Sequence, residues 1–162
     1  MRLSIARRLA NLVILPVALV GAVAVASPAY AAAATTVQMQ ADILAGTNAQ
    51  RARHGCGQLR LDANISRAAR HHSAWMASTG TFSHVGSRNS SFVTRVQAEG
   101  YASPMSENIA WGYRSGAEVV TAWMNSAGHR ANILNCAAKS VGLGAAYATN
   151  GNPYFTEDFG SR

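Results

Sequence analysis

An α+β domain is the fold class that the sequence predicts. Apolar residues recur at helical spacing in four stretches, two of them opened by side-chain caps, and two short apolar and aromatic runs near the end are joined through Asn150-Gly151. Helices followed by a terminal hairpin do not make the alternating βαβ units of a parallel sheet.

The first residues belong to export rather than to the fold. Met1 to Arg8 carries Arg2, Arg7 and Arg8, Leu9 to Ala26 is almost continuously apolar, and Pro28-Ala29-Tyr30-Ala31 ends in the small residues a signal peptidase reads. The expectation is a secretory signal over residues 1–31, cut after Ala31. A retained membrane anchor is the alternative, weakened by Pro16 and Gly21 within the run. Arg7-Arg8 hints at twin-arginine export, with little support from its flanks. Residues 32–36 are small and read as a flexible lead-in, so that the domain covers residues 37–162.

Within that domain the first helix runs from Val37 to His54, with Met39, Ile43, Leu44 and Thr47 at helical steps and Gly55 and Gly57 ending the pattern. Asp62 caps a second helix whose inward stripe is Ile65, Ala68, Ala69, His72, Trp75 and Met76, which makes His72 a satisfied core histidine rather than a ligand. Thr79 to Ser91 is rich in Gly, Ser and Asn and reads as a loop displaying His84. Phe92 to Glu99 forms a short third helix closed by Gly100. Ser115-Gly116-Ala117-Glu118 is a capping box for a fourth helix that buries Val119, Val120, Trp123 and Met124, and Gly128 then delivers His129 into a loop. Val141 to Tyr147 and Tyr154 to Phe159 are the hairpin strands, the second with Phe155, Glu157 and Phe159 on one face and Thr156 and Asp158 on the other.

The chain has 162 residues and a formal charge of +7; without the three signal arginines, eleven basic side chains face seven acidic ones, a mild +4. Arg51, Arg53, Arg60, Arg67, Arg70, Arg88 and Arg95 are scattered, with no dense basic run and no interleaved aromatics, so nucleic acid is excluded as a partner. Adhesion to acidic surface polymers or lipids stays open. Two cysteines in an exported chain favour one bridge, Cys56 to Cys136, over two separate buried thiols. Such a bridge would staple the end of the first helix to the segment just after His129.

Glu107, in Ser106-Glu107-Asn108-Ile109-Ala110, lies between His84 and His129 in sequence. Two histidines and a carboxylate that meet in space can complete an open zinc site or move a proton. The plain alternative is a helix-capping or arginine-paired glutamate with both histidines on unrelated loops, since no H-E-x-x-H spacing is present.

Taken together, Asn48-Ala49-Gln50-Arg51, Phe82-Ser83-His84, Ser106-Glu107-Asn108-Ile109-Ala110-Trp111-Gly112, Trp123 through Leu134 with its Gly128-His129-Arg130, Val141-Gly142-Leu143-Gly144 and Tyr154-Phe155-Thr156-Glu157-Asp158-Phe159-Gly160 resemble a bacterial secreted member of the CAP superfamily, or SCP domain. The resemblance covers about Ile43 to Gly160. It implies a three-layer α/β/α sandwich with a small antiparallel sheet between helices, and a central cavity lined in the family by two histidines and two acids that can take a divalent ion such as zinc. His84 and Glu107 match the first histidine and first acid. The family's second acid falls at Ser126 and its second histidine at Tyr154, so His129 is the expected substitute imidazole, with Glu157 as an added carboxylate and Tyr154 in the cavity wall.

The resemblance therefore implies a secreted binding module, expected as a monomer, that engages a lipid, a small ligand or a cell-surface or host component, touches the membrane only before its signal is cleaved, and has His84 and His129 as candidate zinc ligands. The alternative is an extracellular peptidase-like hydrolase with Glu107 as general base beside His84 and His129. No G-x-S-x-G elbow or free catalytic cysteine speaks for an enzyme.

Overall fold

A computed structural model describes residues 34–162, and the expected signal with its cleavage point lies outside the described residues. Helix α1, Thr36–Arg53, starts one residue before the expected Val37 because the Thr35 hydroxyl accepts the Gln38 amide at 3.1 Å. The lead-in is correspondingly shorter. Met39, Ile43, Thr47 and Arg51 follow one another at four-residue steps, so one buried stripe runs down the helix and ends, unexpectedly, in a fully buried arginine.

Strand β1 is only Arg60–Leu61. Asp62 then caps α2, Ala63–Thr79, by accepting the Asn64 and Ile65 amides, and the expected stripe is buried apart from a half-buried Trp75. Ser91 caps the short α3, Phe92–Ala98. The sequence pattern did not disclose β2, Pro104–Trp111, whose alternation is hidden because Glu107 and Asn108, both polar, are buried on opposite sides of it.

Ser115 caps α4, Gly116–Asn125, through the Glu118 amide, but Glu118 answers the amide of Arg114 at 2.9 Å rather than that of Ser115. The expected loop after it is a helix instead. Ser126 takes an extended conformation (φ −102°, ψ 122°) and α5 follows as Ala127–Ile133, with His129 inside it. Strands β3, Ser140–Tyr147, and β4, Pro153–Gly160, form the expected hairpin.

The strand order is β1-β3-β4-β2, with β4 antiparallel to both β2 and β3, and β1 parallel to β3. The sheet is therefore mixed rather than purely antiparallel, the parallel edge being too short to leave a sequence pattern. Helices α2 and α3 cover one face, and α1, α4 and α5 the other, which gives the three layers. Gly142 and Gly144 let α2 lie directly on the β3 backbone, since a Cβ on either would come within 2.2 Å of α2 main-chain atoms.

The main core lies on the α1, α4 and α5 side, around Met39, Ile43, Trp123, Phe155 and Phe159, and a smaller one joins Ile65, Ala68, Val96 and Tyr101 under α3. Arg51 ties the first of these together by donating to the carbonyls of Gly57, Ile133, Asn135 and Ala138 at 2.7–3.0 Å. The Cys56–Cys136 disulfide closes the same corner, joining the end of α1 to the turn after α5. Among the described residues no helix is long and apolar enough to cross a membrane.

Candidate functional site

Residues of β2 alternate between the two layers, and register across β2 and β4 sets Glu107 opposite Asp158 and Asn108 opposite Glu157. Two polar clusters result, one under α2 and α3, the other under α1 and α5.

In the first, the Glu107 side chain is 1% exposed and its carboxylate is claimed on both oxygens. Oε1 accepts from His84 Nδ1 at 2.8 Å, and Oε2 pairs with the Arg95 guanidinium from α3. Arg95 also donates to the carbonyls of His84 and Ser90, so one side chain fixes both the glutamate and the loop that carries its partner. The His84 side chain is 56% exposed and its Nε2 remains available.

His72 reaches the same cluster from α2, its Nε2 lying 2.9 Å from the Ser83 carbonyl and 3.9 Å from Glu107 Oε2. A carbonyl only accepts, so Nε2 carries the proton and Nδ1 is left a bare, buried acceptor with no partner. Burial holds the His72 pKa down to about 4 against the pull of Glu107, which keeps the ring neutral. The core histidine of the sequence reading is thus buried but not satisfied. Gly86 is what lets it close, because a Cβ there would stand 3.0 Å from His72 Nδ1, Arg95 Nη1 and Ser90 Oγ.

Asp158, on β4, completes the group. It is fully buried with neither oxygen hydrogen-bonded, and burial, reinforced by the negative charge of Glu107, raises its pKa well above the ordinary carboxylate range. Glu107 is the carboxyl that Arg95 pairs with, and Asp158 is the one that burial disfavours as an anion. Arg95, His72 and Asp158 were absent from the sequence-derived site.

The second cluster contains Glu157, whose oxygens accept from the Thr47 hydroxyl at 2.7 Å and from Asn108 Nδ2 at 3.1 Å. Asn132 of α5 extends it by donating to Asn108 Oδ1 and to the main-chain carbonyl of Glu107. Burial pushes the Glu157 carboxyl up to about 7. Sheet register thus separates Glu157 from Glu107, and the two carboxyls serve different faces.

His129 joins neither carboxylate. Its ring lies 6.5 Å from that of Trp123, tilted by 46°, and its pKa is lowered by burial and then by the nearby His84. It borders a cleft of about 260 Å³ across the β2 edge, between Phe82 and Trp111 on one side and Trp123, Ser126 and His129 on the other. Tyr154 is buried behind the cleft, stacked on Trp111 with ring centres 6.3 Å apart.

Among the described residues no three His, Cys, Asp or Glu side chains converge as a metal-binding group. Both oxygens of Glu107 are taken, one of them by a guanidinium, so Glu107 adds no third donor to the candidate pair His84 and His129. What the first cluster can do is hold His84 in one orientation through a buried, charge-balanced carboxylate.

The family model described as CAP, cysteine-rich secretory protein family, matches residues 44–159. The uncharacterized protein YkwD of Bacillus subtilis is 37% identical over 114 residues, covering 70% of this chain and 43% of that protein, so the chain spans less than half the length of this relative. An extracellular protein of Bacillus anthracis containing an SCP domain superposes with a TM-score of 0.70 at 28% identity, over 78% of this chain and 41% of that one. An outer surface protein of Borrelia burgdorferi shares the fold, with a TM-score of 0.69 at 20% identity over 79% of this chain and 98% of its own.

Proposed function

The chain belongs to the CAP, or cysteine-rich secretory protein, family, and on that premise we propose that it is an extracellular binding module, not an enzyme, which takes a small ligand or cell-surface component in the cleft lined by Trp111, Trp123 and His129. The observation that carries this reading is the commitment of Glu107. A carboxylate gripped by an arginine and a histidine at 1% exposure positions its neighbours and is buried away from any substrate. The adjoining cleft, by contrast, offers half-exposed rings and polar atoms without internal partners. The description of the Bacillus anthracis protein as extracellular, together with the secretory signal expected over residues 1–31, supports the placement outside the cell.

A hydrolase is the second reading, favoured by one distance, the 2.8 Å from His84 Nδ1 to Glu107. That is the arrangement of a base and its orienting carboxylate, and it makes His84, not Glu107, the general base. Full-length protein exported by its own signal, extracted and analysed by mass spectrometry, is expected to carry a small molecule that Trp111→Ala protein lacks, and to leave peptide and cell-wall substrate panels uncut. Hydrolysis that His84→Ala abolishes while the urea unfolding midpoint stays unchanged would overturn the binding reading in favour of the second.

A further inference from the structure

The cleft's walls narrow the ligand to one chemistry. Phe82, Trp111 and Tyr113 are 46%, 49% and 36% exposed, unusual for large rings gathered in one place. Phe82 and Trp111 have centres 6.4 Å apart, and Tyr154 stacks on Trp111 from within the fold, so the exposed indole is held in place before any ligand arrives. None of the residues lining this cleft is an Asp, Glu, Lys or Arg. A phosphate, carboxylate, sulfate or ammonium group would find no counter-charge there.

Polar atoms are nevertheless present. Ser126 makes no side-chain cap bond to α5, and the neutral His129 imidazole offers one donor and one acceptor. A flat aromatic face beside a few uncharged donors and acceptors suits a ring with an apolar face and peripheral hydroxyl or amide groups.

Two other occupants fit less well. A peptide adding itself as a strand to β2 needs the edge carbonyls, and those of Glu107 and Ile109 already accept from Asn132 and from Trp123 Nε1. An acyl chain would strand the polar atoms of Ser126 and His129 in a cleft of about 260 Å³. We propose that the cleft holds a neutral pyranose of a surface glycan, stacked on Trp111 and hydrogen-bonded through Ser126 and His129; this rests on the binding reading above and names its ligand class.

The test titrates full-length protein with neutral oligomers of glucose and of N-acetylglucosamine, with de-N-acetylated cationic glucosamine oligomers, and with a sulfated heparin oligomer, read by calorimetry and tryptophan fluorescence. A neutral oligomer is expected to bind with an affinity that does not change between low and high salt. Trp111→Ala should weaken it about tenfold or more, and Trp111→Phe, which keeps a ring against Tyr154 and should hold the urea midpoint, should retain part of it. Failure of every neutral oligomer to bind, binding that Trp111→Ala leaves intact, or tighter, salt-dependent binding of a charged oligomer overturns the proposal. Tight binding of an extended peptide that competes with the neutral oligomer overturns it too. If neutral oligomers fail while the molecule retained by exported protein is still lost from the Trp111→Ala variant, the glycan falls and the binding module stands; if that loss is absent as well, both fall.

Discussion

Replacing Glu157 by glutamine should stabilise the protein, and increasingly so as pH rises. The carboxyl is fully buried, burial moves its pKa from 4.5 to about 7, and it sits between the Thr47 hydroxyl and Asn108 Nδ2. A group whose pKa is raised on folding contributes its stability below the unfolded pKa and loses it as pH climbs through the folded one. Over the interval from 4.5 to about 7 that loss amounts to about 3 kcal/mol, at roughly 1.4 kcal/mol per pH unit. Glutamine has the shape of the protonated acid; its carbonyl accepts from Asn108 and its amide donates to Thr47, so the hydrogen bonds survive without a proton to lose. His72 acts with the opposite sign. With its pKa held down to about 4, its contribution is present above 6.5 and lost as pH falls toward 4, but it is common to both proteins and cancels in their difference. Urea unfolding at pH 5, 6, 7 and 8 should show the advantage of the glutamine variant over wild type growing by about 2 kcal/mol across the series. An advantage that does not vary with pH would refute the reasoning, because it would mean that Glu157 titrates as an ordinary surface carboxylate.

Arg51→Met should cost about 4 kcal/mol in urea unfolding, because four carbonyls lose their donor in a buried corner that no methionine can satisfy. Gly144→Ala should cost at least about 3 kcal/mol and leave the protein aggregation-prone, since its methyl would come 2.2 Å from the Ala69 carbonyl and push α2 off the sheet, with a lowered melting temperature by circular dichroism as the readout. At pH 7, Asp158→Asn should cost less than about 1 kcal/mol because asparagine copies the protonated acid, whereas Glu107→Gln strips Arg95 of its buried counter-ion and should cost about 3 kcal/mol or more. Losses in the reverse order, with Asp158→Asn the costlier change, would refute this assignment.

The parts of this molecule that were legible in the sequence are those whose signal is local. Asp62 and Ser115 announce their helices because a cap acts over three residues, and Asn150-Gly151 announces a hairpin because the turn itself demands that chemistry. His84 and Glu107 were paired through a family resemblance, and they do touch. What stayed hidden depends on how distant segments register. Arg95 looks like any basic residue of a short helix, and only the approach of α3 to β2 turns it into the counter-ion of Glu107. Asp158 carries no sign of its role until β4 is aligned opposite β2. His129 was placed on a loop because Gly128 reads as a stop, yet one extended residue at Ser126 is enough to restart a helix beyond it.

The adjacent acids Glu157 and Asp158 show why register matters more than composition in this fold. Neighbours on a strand point to opposite faces, so a dipeptide that looks like one acidic patch supplies one carboxyl to each layer. Each layer also contains one arginine beside its acids, Arg51 fully buried and Arg95 mostly covered, but the two are spent differently. Arg95 forms an ion pair with Glu107, and the pKa of the second carboxyl there, Asp158, is raised by burial and by that neighbouring negative charge. Arg51 gives its donors to four main-chain carbonyls and reaches Glu157 only through space, so that carboxyl has no ion pair to keep it charged and its pKa rises. In the layer where Arg95 forms the ion pair, Glu107 orients the exposed His84 imidazole. The other layer, where burial raises the pKa of its acid, is packed as core, and it is there that Trp123, Phe155 and Phe159 assemble.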